Sequence, residues 1–325
     1  MFYNTNSVPQ LRATARRQEK GRTREMEQRE LGKTGLIVSR LGLGLAEMGE
    51  LPLSQEQTAA LLLTTALDNG INFLDAAACY GTSEELIGRT IAGRRHEFVL
   101  STKAGHVAGD YVGQDWTGKT VGDSIERSLV RMRTDYLDAV HLHSCSVEIL
   151  ERGEVIRALQ DARQAGKTRY IGYSGDNEAA LWAVESGLFD TLQTSFNLVD
   201  QRAHLRLFPT ARERRMGIIA KRPIANTAWG ATHSPSYYAA EYFRRAQRML
   251  EEGPVSSAPD DPLVLALGFV LAHQSVDTAI VGSSNPEHVR QNIRWVREEL
   301  PISRKAVEEL HRRFQEMDSG WTQEN

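Results

Sequence analysis

Short apolar runs alternate along this chain with longer stretches in which apolar residues recur every three or four positions. Runs of a few β-branched and aliphatic residues are typical of buried strands, whereas the longer spacing indicates amphipathic helices. About eight such strands follow one another. The predicted strands are 38–43, 73–75, 98–102, 137–142, 170–172, 191–194, 217–220 and 278–281.

Helical segments separate these strands, and several have recognisable ends. The segment that starts at Ser54 has Gln57 three residues later, which is a capping-box pattern, and it ends near Gly70. Pro262 and Pro286 each follow a residue that can cap a helix. The predicted helices are 54–68, 83–91, 121–133, 149–164, 178–185, 201–214, 262–273 and 287–296, followed by a terminal helix at 303–317.

This alternation predicts an α/β fold, a (β/α)8 TIM barrel, rather than an open doubly wound sheet. Residues 30–36 contain glycines and predict the turn of an N-terminal β-hairpin that could plug the barrel. The terminal helix would be an extra C-terminal element. The stretches 104–120 and 222–261 are too long for simple connections. We expect both on the C-terminal face, where barrel enzymes hold their active sites.

Composition narrows the class of protein. The chain has 325 residues, of which 41% are hydrophobic and 25% charged, with a formal net charge of −3. These values predict a globular protein without a general attraction to nucleic acid or membranes. The cysteines, Cys79 and Cys145, are too few for a disulfide framework, which favours a cytoplasmic location. No apolar run approaches the roughly 20 residues that span a bilayer.

Residues 1–25 differ from the rest, because they are rich in arginine and poor in large apolar residues. They lack the apolar core of a secretory signal. We expect them to form a disordered basic tail, with a targeting or nucleic-acid-binding arm as the alternative. Residues 26–325 are then expected to form a single barrel domain.

Four polar residues fall at or just after the ends of predicted strands. Asp75 ends the second strand, Lys103 follows the third, His143 follows the fourth, and Tyr80 lies five residues after Asp75. Side chains there converge on the barrel mouth. A nearby ammonium lowers the pKa of a phenol, and a carboxylate can orient that ammonium. Together these residues could protonate a carbonyl oxygen, with the phenol as the acid, while another molecule delivers hydride to the carbonyl carbon.

Each of these residues also has an ordinary structural interpretation. Asp75 could cap its strand, Tyr80 could be a rim aromatic, and Lys103 could be solvated. His143 has a rival in His141, because even spacing places both on one face of a strand. We expect His141 to line the barrel interior below His143. The histidines and cysteines show no spacing typical of metal ligands, so no metal site is expected.

Six motifs, in order and over about residues 31–297, resemble the aldo-keto reductase family. The resemblance implies reversible reduction of an aldehyde or ketone, with Tyr80 as general acid/base and Lys103, Asp75 and His143 completing a catalytic tetrad. The motifs are LGKTGLIVS at 31–39, GINFLD at 70–75 with YGTSEE at 80–85, STK at 101–103, RTDYLD at 133–138 with His143, GKTRYIGYS at 166–174, and GSSNPE at 282–287 with Asn292.

The resemblance also implies NADPH, bound extended across the barrel mouth without a Rossmann glycine fingerprint, with NAD as the other possible cofactor. The residues that contact it would come from the ends of the later strands. By position, Ser174 and Gln193 would bind the carboxamide, Ser283 and Ser284 the adenosine 2′-phosphate, and Gln291 and Asn292 would lie near the adenine.

Three positions depart from the family pattern. Gly175 stands where the family often has asparagine. Lys221 stands where an aromatic residue often covers the nicotinamide, and its cationic stem could instead reach the pyrophosphate. His288 stands where an arginine usually contacts the 2′-phosphate, which weakens the case for NADPH because histidine is only partly charged. Arg290 and Arg294 could compensate.

Two other functions stay open. One is an NAD-dependent sugar or polyol dehydrogenase, and the other is a nucleotide-binding regulatory subunit resembling potassium-channel beta subunits. The expected partner is a small carbonyl or alcohol, with neither nucleic acid nor membrane. Aromatic residues of the two long stretches are candidates for the substrate pocket, namely Tyr111, Trp116, Trp229, Tyr237 and Tyr238.

Overall fold

Eight parallel strands close into a barrel in the computed structural model, which describes residues 24–324. Each strand pairs with the next one along the chain, and the last pairs with the first, so the predicted fold class is confirmed. The hairpin strands are β1 (Gln28–Glu30) and β2 (Ile37–Ser39), and the barrel strands are β3 (Leu41–Gly44), β4 (Phe73–Asp75), β5 (Val99–Ala104), β6 (Leu137–His143), β7 (Thr168–Ser174), β8 (Thr191–Ser195), β9 (Gly217–Lys221) and β10 (Thr278–Gly282).

Helices follow the strands and surround the barrel. The predicted helix 149–164 is two helices, because Gly153 has a φ of 70° that interrupts the helical backbone. The helices are α1 (Glu56–Asp68), α2 (Ser83–Thr90), α3 (Gly118–Met132), α4 (Val147–Arg152), α5 (Glu154–Gln164), α6 (Asn177–Ser186), α7 (Arg202–Glu213), α8 (Ala240–Leu250), α9 (Pro262–Leu271), α10 (Pro286–Arg294) and α11 (Arg304–Met317).

The N-terminal hairpin packs against the barrel, as predicted. Its apolar side chains, including Leu31 and Val38, form a buried cluster with Phe73 and Val99, the first residues of β4 and β5. The predicted strand 38–43 divides at Arg40, where the chain passes from the hairpin to the barrel. The Arg40 side chain is buried and donates a 2.6 Å hydrogen bond to the Leu271 carbonyl.

The barrel interior holds His141, as expected. Its Nε2 lies 2.9 Å from the Thr191 hydroxyl and its Nδ1 lies 3.2 Å from the Ser101 hydroxyl. Burial lowers the pKa of His141 to about 4, so the ring is neutral. A Cβ at Gly172 would lie 2.3 Å from the His141 ring, so only glycine leaves room for it.

Helix α8 lies within the long stretch 222–261 and was not predicted. Its buried residues include Tyr242, Ala246 and Met249, which lie on one helical face. Of the predicted basic tail, Arg24 and Glu25 belong to the described residues and the others lie outside them. Within residues 24–324, no helix combines the length and apolar character that crossing a membrane requires.

Candidate active site

A cleft of about 940 Å³ opens at the C-terminal ends of the barrel strands. Its floor includes Gly44 and Gly282, which pair across β3 and β10 and bring no side chain into the space. The cleft is lined by Asp75, Tyr80 and His143 of the predicted tetrad. The cleft therefore lies at the strand ends where the sequence predicted the catalytic residues.

Lys103 and Asp75 form a buried ion pair beneath this cleft. The Lys103 ammonium lies 2.6 Å from Asp75 Oδ2, and both side chains are 2% exposed. Burial alone would lower the pKa of Lys103, but Asp75 and Tyr80 together outweigh it through charge and hydrogen bonding, and the pKa is raised. The Ser101 hydroxyl donates to Asp75 Oδ1 at 3.0 Å, which fixes the carboxylate. Lys103 is thus held as an ammonium in one position.

Tyr80 lies beside this ammonium. The Lys103 Nζ is 4.6 Å from the centre of the Tyr80 ring. Burial raises the pKa of Tyr80, and the positive charge of Lys103 opposes that shift without cancelling it. We expected Lys103 to lower this pKa, and the net direction is opposite because the loss of solvation around the half-buried phenol outweighs the charge of Lys103. The phenol is consequently protonated at neutral pH and available as a proton donor.

His143 contacts Tyr80 edge-on, with ring centres 5.6 Å apart. Burial and the charge of Lys103 lower the pKa of His143 well below its usual value, so the ring is neutral. Two neighbours contact His143, and neither was among the predicted site residues. Cys79 Sγ lies 3.4 Å from His143 Nδ1, and His106 Nε2 lies 3.0 Å from the His143 carbonyl. His106 also lines the cleft, from the long loop after β5.

Ser174 and Gln193 lie next to each other at the ends of β7 and β8, as their expected shared role requires. The Ser174 hydroxyl donates a 2.7 Å hydrogen bond to Gln193 Oε1. Gln193 Nε2 is buried and has no partner among the described residues. A buried amide donor without a partner is costly. Because Gln193 lines the cleft, a carboxamide or similar acceptor there would satisfy it.

Lys221 lines the cleft but its ammonium is already paired. It lies 2.7 Å from Asp176 Oδ2, and that carboxylate is fully buried. Burial lowers the pKa of Lys221 despite this partner. Asp176 also accepts hydrogen bonds from the Thr194 hydroxyl and the Ser195 amide at 2.7 Å. Contact between Lys221 and a pyrophosphate would therefore compete with a well-made ion pair.

The C-terminal residues lie against the same rim, which sequence reasoning missed. Gln323 Nε2 donates to the Ser195 carbonyl at 2.8 Å, and Arg222 donates to the Glu324 carbonyl at 2.6 Å. The Glu324 side chain forms a 2.8 Å ion pair with Arg245 of α8. These contacts tie residues 318–324, which we call the C-terminal strap, to the loops around the cleft.

The remaining cofactor candidates lie beyond Gly282, at the start of α10, and do not line the cleft itself. Asn285 Oδ1 caps the helix by accepting from the Glu287 amide at 3.0 Å. Ser283 Oγ accepts from the Asn285 amide at 3.0 Å and lies 3.2 Å from His288 Nδ1. The candidates farther along the same helix are Gln291, which is half-buried, and Asn292, which is buried.

The expected list of cleft residues is only partly correct. Trp229 is buried and does not line the cleft, whereas Tyr238 does. Tyr111 is turned away and donates to Asp123 at 2.7 Å. Glu47 was missed, although its carboxyl lines the cleft and packs on Gly282. Loop paths decide these positions, and the sequence does not indicate them.

Known proteins are similar to this chain in sequence. The chain is 31% identical over 287 residues to the uncharacterized oxidoreductase YqkF of Bacillus subtilis, covering 82% of this chain and 90% of the relative. It is 29% identical to L-galactose dehydrogenase of Arabidopsis thaliana, covering 84% of this chain and 89% of the relative.

A solved structure extends the similarity to three dimensions. The holo form of aldo-keto reductase AKR11C1 from Bacillus halodurans matches with a TM-score of 0.77 and 26% identity, covering 89% of this chain and 96% of that chain. The sequence profile of the Aldo/keto reductase family matches residues 40–312, which include the whole barrel and the cleft. The chain therefore belongs to the aldo/keto reductase family and is an oxidoreductase.

Proposed function

We propose that this chain reduces an aldehyde or ketone to an alcohol with NADPH, and that Tyr80 supplies the proton. The observation that carries the proposal is the meeting of Tyr80, Lys103 and His143 at one cleft that also contains an unsatisfied amide. The Lys103 ammonium lies 4.6 Å from the Tyr80 ring, and the His143 ring lies 5.6 Å from it. Gln193 Nε2 provides the unsatisfied donor.

The cleft suits a nicotinamide dinucleotide. Gln193 and Ser174 would hold the carboxamide, because the Ser174 bond leaves the Gln193 amide donors unused. The half-buried Ser284, with Ser283, would meet a phosphate at the start of α10, where helix amide groups favour anions. Gln291 and Asn292 would lie near the adenine. When bound, the nicotinamide supplies hydride to the carbonyl carbon.

Residues of this chain then supply the proton and stabilise the charge that its transfer leaves behind. His143 is neutral, so its ring can hydrogen-bond a substrate oxygen without charge. Tyr80 is protonated and gives its hydroxyl hydrogen to that oxygen as negative charge develops there. The buried Lys103 ammonium stabilises the phenolate left behind, and Asp75 keeps the ammonium charged. Oxidation of an alcohol uses the same groups in reverse.

The serines at the start of α10 favour NADPH over NADH, whereas His288 in place of an arginine weakens that preference. Two nearby arginines are engaged elsewhere. Arg290 pairs with Glu287, and Arg294 bonds to Gln291.

The L-galactose dehydrogenase relative makes a sugar substrate the second candidate. The free cysteines, Cys79 and Cys145, support a cytoplasmic location.

Cofactor titration followed by a substrate panel tests this proposal. Quenching of protein fluorescence would give dissociation constants for NADPH and NADH, and we expect the NADPH constant to be at least about tenfold lower. The panel would include aryl aldehydes, ketones, sugars and polyols. Tighter NADH binding with sugar oxidation would favour the dehydrogenase. Tight binding of NADPH without turnover of any compound would favour the regulatory subunit.

A further inference from the structure

Three histidines from distant parts of the chain meet outside the active-site cleft. His204 lies on α7, His273 follows α9, and His311 lies on α11. One nitrogen from each ring lies within 4.8 Å of the other two. We refer to these three residues as the histidine cluster. The sequence could not indicate it, because the residues are 38 or more positions apart.

Hydrogen bonding fixes the tautomer of His273. Its Nδ1 lies 2.7 Å from the Phe269 carbonyl oxygen. A carbonyl oxygen can only accept, so the hydrogen is on Nδ1. In the neutral ring, the Nε2 atom therefore carries a lone pair and no hydrogen.

The tautomer of His311 is fixed in the same way. Gln201 Nε2 donates to the Leu198 carbonyl at 2.8 Å and to the Leu310 carbonyl at 3.1 Å. These two bonds orient the amide, so Gln201 Oε1 is the atom that faces His311 Nδ1, at 2.6 Å. His311 Nδ1 must then be the donor, and His311 Nε2 also carries a bare lone pair.

The two lone pairs face each other. His273 Nε2 and His311 Nε2 are 2.9 Å apart. Two acceptors at this separation repel unless a positive species lies between them. His273 is buried and His311 is half-buried, which disfavours a positive charge on either ring. Two imidazole nitrogens that each lie about 2.1 Å from one metal ion are about 3.0 Å apart at a ligand angle of 90° and about 3.4 Å apart at the tetrahedral angle, so the observed separation is close to the 90° value.

His204 completes a third side of this site. Its ring stacks on His311 with centres 5.1 Å apart, and its Nδ1 is buried without a partner in residues 24–324. We propose that the histidine cluster binds one divalent transition-metal ion of the zinc, copper or nickel class, the metals that imidazole ligands favour. The carbonyl oxygens of Phe269 and Gln201 then act as outer partners that orient the ligating rings. The proposal departs from the expectation of no metal.

The ion would join three elements. It would tie α11 to α7 and to the turn after α9, and α11 leads directly into the C-terminal strap. The strap contacts the rim of the cleft through Gln323 and Glu324. Metal binding is therefore expected to stabilise the fold without changing the residues that contact the substrate.

Metal titration of tag-free protein, after treatment with a chelator and gel filtration, tests the proposal. Zn²⁺ would be added in a calorimeter, and we expect one ion per chain with a micromolar or lower dissociation constant and a rise in Tm. Cu²⁺ would be added in parallel, and its electron paramagnetic resonance spectrum should show coupling to imidazole nitrogens. His273→Gln should weaken binding at least about tenfold, which corresponds to about 1.4 kcal/mol.

The matched control is His96→Gln, which removes an exposed histidine and should leave binding unchanged. Wild-type protein that binds no stoichiometric Zn²⁺ would overturn the proposal, and so would equal weakening in both variants. If neither metal nor chelator changes Tm and Tm falls as the pH rises from 6 to 8, a shared proton joins the rings and the proposal is wrong. If His273→Gln does not fold, the copper spectrum of the wild-type protein still tests the proposal, because it shows whether imidazole nitrogens bind the ion.

Discussion

The Ser174 hydroxyl donates a 2.7 Å hydrogen bond to the Oε1 atom of Gln193 and so engages the acceptor end of the Gln193 amide. With Oε1 engaged, the donor end of the amide is left buried and without a partner among the described residues. A buried donor of this kind stores binding energy for a ligand acceptor. In the proposed complex, this hydrogen bond would leave the Gln193 amide donors free for a carboxamide.

Gln193→Met tests this role of the amide. The methionine side chain has a similar size but no amide donor, so we expect the dissociation constant of NADPH to rise about tenfold, which is about 1.4 kcal/mol. Fluorescence quenching would measure it. Gln164→Met is the matched control, because Gln164 is exposed at the end of α5. Unchanged affinity in Gln193→Met would remove Gln193 from the binding site.

The Lys103–Asp75 ion pair should matter for folding as well as for chemistry. Lys103→Met leaves the Asp75 carboxylate buried without its cation, and we expect a loss of about 3–5 kcal/mol in the free energy of unfolding. Denaturant unfolding would measure this loss. The double variant Lys103→Met with Asp75→Asn should recover part of it, because no buried charge remains.

The control for this prediction is Arg304→Met. Arg304 and its partner Glu308 are 92% and 60% exposed, so their pairing should add nothing measurable. If Lys103→Met unfolds at the wild-type denaturant concentration, the ion pair is not the structural element that we describe.

Stability should depend on pH through Asp200. Burial raises the pKa of Asp200 to about 7, and Asp200 Oδ1 is buried without a partner in residues 24–324. Because this pKa exceeds the usual value for an aspartate, the folded chain holds the proton more tightly than the unfolded chain. The resulting stability is present below about pH 4 and is lost as the pH rises through 7.

Asp200→Asn should therefore raise Tm by several degrees at pH 8 and by less at pH 5, because the amide never ionises. Thermal unfolding at the two pH values would show the difference. Asp161→Asn, on the exposed surface of α5, is the matched control. An equal change in Tm at both pH values would contradict the assigned pKa direction.

Periodicity and strand-end position predicted most of the fold and the core of the site. Asp75, Lys103 and His143 could be placed because the ends of adjacent parallel strands meet at one rim. Contacts that depend on the paths of loops could not. The Lys221–Asp176 ion pair joins the end of β9 to the loop between β7 and α6, and no spacing in the sequence indicates it.

Helix α8 is a different kind of omission. Tyr242, Ala246 and Met249 repeat at helical spacing, so the signal was present in the sequence. The tyrosines, serines and prolines around it made the whole stretch resemble a loop. The histidine cluster and the C-terminal strap depend on how the helices and the C-terminal residues pack together. Local sequence patterns do not predict this tertiary packing.

Tyr80→Phe tests the central claim most directly, because it deletes the proposed proton donor and keeps the ring beside Lys103. We predict unchanged NADPH affinity and a fall of about 10²- to 10⁴-fold in the single-turnover rate of carbonyl reduction. Tyr111→Phe, which removes a phenol outside the cleft, should reduce the substrate at the wild-type rate. A wild-type rate in Tyr80→Phe would contradict the account.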